Sequence, residues 1–155
     1  MSDVESRLQE IGLTLPEGVA PVATYVPYTI AGNLVHVSGQ IPIVNGETLF
    51  VGRLGDSISI EEGKKAAQTC ALNVLSQLKA AINADWSRVK QCIKIGGFVQ
   101  CSNDFTDQSE VINGASDLMV TAFGEPVGQH ARFAVGTNAL PRGVCVEVEG
   151  IFEIG

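Results

Sequence analysis

Metal ligands and paired acid–base side chains are scarce in this sequence. It holds two histidines, His36 and His130, far apart in the chain, and four cysteines, Cys70, Cys92, Cys101 and Cys145. No C-x-x-C pair occurs and no metal-ligand spacing emerges. Each cysteine falls in an apolar stretch, where a thiol acts as a small buried hydrophobe. No G-x-S-x-G turn proposes a serine nucleophile, and no phosphate-binding glycine loop is present. Basic residues are also short: 10 Lys+Arg against 17 Asp+Glu leave a net charge of −7 and a pI near 4.7. Without a basic stripe, phosphate backbones and anionic membranes are disfavoured as partners. Anionic small molecules remain open, since one placed arginine can hold them. No apolar run approaches membrane-spanning length, and the polar opening MSDVESRLQEIG is unlike a secretory leader. The expectation is a cytoplasmic protein with reduced thiols.

What is present suffices for one domain over residues 1–155. Hydrophobic residues make up 45% and charged residues 17% of the chain, enough for a real core. Residues 1–15 predict an additional N-terminal helix: Ser2 and Glu5 have capping-box spacing, Val4, Leu8 and Ile11 share a face, and Gly12 stops it. Two strands follow, joined at Ala31-Gly32-Asn33, then a turn at Asn45-Gly46 and a short strand in TLFVGRLG. Ser59 to Ile82 is a long amphipathic helix with its own Ser59–Glu62 capping box. Its apolar face is Ala67, Cys70, Ala71, Val74, Leu75, Leu78, Ala81 and Ile82, and its polar face Glu61, Lys64, Lys65, Gln68, Gln77 and Lys79. A strand with Gly96-Gly97 in its middle predicts a bulge or a close backbone approach. The second long helix buries Ile112, Ala115, Leu118, Met119, Ala122 and Phe123 and ends at Gly124. Two strands, about 130–138 and 143–154, complete the chain. The fold class expected is α+β, a two-layer sandwich with two helices on one face of a mixed sheet.

Opposite the helices the strands still offer Leu34, Cys92, Phe98, Ile151, Ala134 and Gly136. Exposed apolar surface of that size marks an interface, so an oligomer is expected.

The last strand alternates strictly, with Val146, Val148, Phe152 and Ile154 on one side and Glu147, Glu149 and Glu153 on the other. Before it, Arg132 stands alone in the apolar HARFAV. Two readings follow from the residues: a guanidinium fork for a carboxylate ligand, or an ion pair with Glu147 or Glu149 on a neighbouring strand. By themselves the residues favour the ion pair. Glu147 is in turn a general base or part of a solvated face. Ser38-Gly39-Gln40 ends a strand, where a hydroxyl and free backbone groups can meet a ligand, or simply turn the chain.

The segments YVPYTIAGNLVHVSGQIPIVNGE, NDF and ARFAVGTNALPRGVCVEVEGI together resemble the YjgF/RidA family of reactive-intermediate deaminases, in order and over about residues 20 to 154. The resemblance implies a chorismate-mutase-like fold, and a homotrimer whose sheets form a central barrel with clefts between subunits. It makes Arg132 the clamp for a substrate carboxylate and Glu147 the residue that positions and activates water. It places Tyr25, Ser38, Gly39, Asn113 and Ala134 beside the ligand. The reaction implied is hydrolysis of an amino-acid-derived enamine or imine to a 2-oxo acid and ammonia, with no metal, nucleotide or flavin. The partners implied are small carboxylate metabolites; a carboxylate-binding trimer without catalysis is the alternative. A ribonuclease label attached to some relatives has no basic patch to support it here. The chain departs from the family pattern at Phe133, where a small polar residue is usual, and at Ala134, where a cysteine is common.

Overall fold

The chain opens with α1 (Asp3–Glu10), whose Val4 and Leu8 are buried in the core, and residues 11 and 12 turn it off the helix axis. This is a computed structural model that describes residues 3–18, 20 and 23–155. Ser2, half of the expected first capping box, lies outside them. Ile11 does not join the apolar face but is 50% exposed, because the helix has already ended at Glu10. Strands β1 (Tyr28–Ala31) and β2 (Leu34–Gln40) form the expected hairpin. The next strand differs from expectation. β3 (Ile43–Val44) and β4 (Glu47–Thr48) make a separate two-stranded hairpin, and the rest of TLFVGRLG contributes only single bridges from Val51 and Leu54. Phe50 and Gly52 have φ of 55° and 137°, so the backbone cannot run on as a strand there.

Ser59 caps α2 (Ile60–Ala81). Its Oγ accepts the Glu62 N–H at 3.1 Å, and Glu62 Oε1 accepts the Ser59 N–H at 3.2 Å. The whole expected apolar face of α2 is buried. Gln77, expected on the polar face, is also buried, because the extended segment at Gly18 packs across it.

β5 (Val89–Gln100), α3 (Gln108–Phe123) and β6 (Ala131–Thr137) form a parallel crossover, and β7 (Val146–Ile154) returns antiparallel. The sheet order is β1-β2-β7-β5-β6, with α2 and α3 packed on one face. β7 buries every second residue, as its alternation requires. Its carboxylates and Arg132 are not on adjacent strands, however: β5 lies between β6 and β7.

Gly96 and Gly97 mark close approach rather than a bulge. A Cβ at Gly96 would sit 2.5 Å from the Phe133 ring, and one at Gly97 would sit 2.5 Å from Ile112 of α3. The register shifts of β5 fall earlier, at Val89/Gln91 and Cys92/Lys94. That second shift turns Cys92 to the helix side, where it pairs with Phe152 and is fully buried, not on the open face as expected. Ala134 also faces the helices, and Gly136 lies against Cys101 and Gln108. The open face does keep large apolar side chains: Phe98 is 36% and Val135 44% exposed, and Phe98 packs edge-on against Phe133 at 5.2 Å. Among the described residues no helix is long and apolar enough to cross a membrane.

All four cysteines are free and buried. Burial pushes the Cys92 and Cys145 thiols up to about 12. It also raises Cys70 well above its ordinary value, with Cys145 and Glu147 adding to the effect. The native protein is therefore expected to react slowly with a thiol reagent until it is unfolded, since the thiolate is the reactive form. Rapid modification of Cys101 or Cys145 in the folded protein, with loss of ligand binding, would instead mark a catalytic cysteine.

Candidate functional site

Arg132 occupies the second position of β6, opposite Ile95 of β5, and its side chain turns to α3. There its Nη1 donates to Asn113 Oδ1 at 2.8 Å and to Ser116 Oγ at 3.2 Å, while Nη2 donates to the Ser109 carbonyl at 3.2 Å. Residues 109, 113 and 116 stand at i, i+4 and i+7 on one helical face, so α3 presents them as a row. All three acceptors are neutral. Among the described residues Arg132 has no carboxylate partner, so the ion-pair reading fails for this residue. A guanidinium carries five N–H groups. Three are bonded here, and those left are Nε–H and one on Nη2, donors on neighbouring nitrogens.

Phe133, the bulky neighbour, points to the opposite face. It lies over Gly96 against Phe98, with the Lys94 ammonium 5.4 Å from its ring centre. It leaves the surroundings of Arg132 free. Ala134 returns to the helix side, two residues beyond Arg132 on the same face.

Glu147 lies on the open face of β7, opposite Phe98. It is half-buried, and its carboxyl is raised above the ordinary range, first by burial and second by Glu149 two residues on. Its carboxylate passes directly over Gly39: a Cβ there would fall 2.2 Å from Oε2. The glycine one residue before the end of β2 is thus the place where this carboxylate fits. Ser38 beside it donates its hydroxyl to the Val26 carbonyl at 2.8 Å, tying the end of β2 to the segment that carries Tyr25, itself 49% exposed.

The expected residues therefore form two groups. Glu147, on the open face, meets Gly39 near the end of β2, with Ser38 beside it and Tyr25 on the segment bonded to Ser38; Arg132, Asn113 and Ala134 gather where β6 meets α3. Within one chain β5 and the thickness of the sheet separate them. Sequence reasoning missed Ser116 and His130, whose Nε2 lies 2.8 Å from Ser116 Oγ. The i, i+3 spacing of Asn113 and Ser116 was the available signal. Among the described residues no cluster of His, Cys, Asp and Glu is arranged to hold a metal.

Residues 5–149 match the family described as "YjgF/chorismate_mutase-like, putative endoribonuclease". Protein TCP17 of Trypanosoma cruzi is 47% identical over 151 residues, covering 97% of this chain and 94% of its own. The 2-iminobutanoate/2-iminopropanoate deaminase of Dermatophagoides farinae is 26% identical over 143 residues, covering 92% of this chain and 94% of its own. Among solved structures, a protein of unknown function from Agrobacterium tumefaciens superposes with a TM-score of 0.93 at 46% identity, covering 99% of this chain and 93% of its own. With the two-layer sandwich and these matches along nearly its whole length, the chain belongs to the YjgF/RidA family and has the chorismate-mutase-like fold.

Proposed function

We propose that the protein hydrolyses enamines or imines derived from amino acids, releasing ammonia and a 2-oxo acid. The observation that carries this reading is Arg132: a cation fixed by three neutral oxygens and, among the described residues, with no carboxylate to neutralise it and two N–H groups unused. Such a group is built to receive a carboxylate, and every such substrate carries one beside its electrophilic carbon. Glu147 supplies the second requirement. A carboxyl raised by burial is a better base than a solvated one, suited to take a proton from an attacking water. An enamine first takes a proton from water at its β-carbon and becomes the imine. Water's oxygen then bonds to the imine carbon as one proton passes through Glu147 to nitrogen; the adduct's hydroxyl proton follows to nitrogen as the C–N bond breaks, expelling ammonia and leaving the oxo group. Tyr25, Ser38, Gly39, Asn113 and Ala134 line the ligand in this reading. The deaminase named among the relatives has the same reaction class.

The two groups of residues meet when a second copy of the chain is brought against the first. A cleft between subunits of a trimer joins Arg132 of one to Glu147 of another, and closing three sheets around an axis covers Phe98 and Val135. Light scattering on a sizing column should report three chains at micromolar concentration. A stable monomer would sink both the assembly and the shared site. The reaction itself is tested by ammonia release from freshly generated 2-aminoacrylate, which should exceed the rate in buffer. A protein that binds 2-oxobutyrate with no such excess is the carboxylate-binding trimer without catalysis.

A further inference from the structure

The His130 imidazole sits between two oxygens that fix its tautomer. Nδ1 lies 2.7 Å from the Gly128 carbonyl, and a carbonyl only accepts, so Nδ1 carries the proton. In the neutral ring Nε2 then accepts, and the Ser116 hydroxyl 2.8 Å away donates to it. With its proton committed to His130, Ser116 Oγ turns its lone pairs to Arg132 Nη1, 3.2 Å away. A free hydroxyl rotor could point its proton at the cation instead. The far end of this chain of bonds is rigid: the Gly128 N–H donates to the Gly124 carbonyl at 2.7 Å, and a Cβ at Gly128 would fall 2.5 Å from the Met119 carbonyl oxygen.

We infer that His130 and Ser116 are positioning residues for the Arg132 clamp. His130 orients the Ser116 hydroxyl, and Ser116 with Asn113 sets the plane of the guanidinium, so that the two unused N–H groups meet the substrate carboxylate together. This rests on the carboxylate-clamp reading of Arg132. A side chain with four rotatable bonds presents a fork only if something holds its plane, and support from surrounding polar groups is what makes a binding group precise.

The test is calorimetric titration of the full chain with 2-oxobutyrate, with melting curves alongside. His130→Ala and Ser116→Ala should each weaken binding about threefold to tenfold, the range of one hydrogen bond. The double variant should lose no more than either alone, because both act along one path. Ser116→Thr, which keeps the hydroxyl, should retain most of the affinity. In an Arg132→Ala background His130→Ala should change affinity no further. Affinity unchanged with a lower melting temperature would make the pair a strut between β6 and α3 and overturn the inference. So would an equal loss of binding with and without Arg132. If Arg132→Ala by itself leaves affinity unchanged, the clamp reading falls and this inference with it, a result distinct from failure of the relay alone.

Discussion

Replacing Glu147 by glutamine is expected to slow ammonia release from 2-aminoacrylate on the order of a hundredfold, the low end of the range for loss of a general base. Binding of 2-oxobutyrate should be spared, because the carboxamide keeps the shape of the side chain beside Gly39. The same substitution has a signature in stability. Burial and Glu149 raise the Glu147 carboxyl in the folded protein. A carboxyl so raised binds its proton more tightly folded than unfolded, so its favourable contribution is present at low pH and is lost as pH rises through the folded value. Glutamine stays neutral throughout. Glu147→Gln should therefore melt higher than the native protein above that pH, and the difference should fade on acidification. A variant that melts lower at neutral pH would show the carboxylate to be a structural partner, and one with undiminished ammonia release would remove Glu147 from the mechanism.

Arg132→Ala should weaken 2-oxobutyrate binding by about tenfold to a hundredfold or more, since a charge-assisted, two-pronged contact to a carboxylate is worth roughly 1.5–3 kcal/mol. Arg132→Lys should restore only part of it. An ammonium is a point charge and cannot bond Asn113, Ser116 and Ser109 while presenting a flat fork to the ligand. Melting temperature should change little in either variant, because Arg132 is only half-buried and water can replace it on those three oxygens. If calorimetry finds the Arg132→Ala affinity unchanged, the clamp is wrong, whatever happens to stability. The two substitutions thus separate holding from reacting: one should act on affinity, the other on rate.

Local chemistry was legible in the chain itself. The Ser59–Glu62 capping box, the apolar stripe of α2, the stop at Gly124 and the alternation of β7 are each set by neighbours within a few residues, and each appears where the spacing places it. The block pattern from Tyr25 to the Val-Glu-Val-Glu strand carried the family. Only the tertiary structure decided what depends on strand order and on the phase of a strand. One register shift in β5 moved Cys92 from the open face to the core, and nothing in an alternating pattern marks where such a shift falls. The insertion of β5 between β6 and β7 parted Arg132 from the carboxylates expected beside it. Long-range pairing then gave Arg132 its real partners on α3, and brought in Ser116 and His130, which no motif had singled out. Sequence spacing fixes faces within one element; which faces meet is settled by packing between elements distant in the chain.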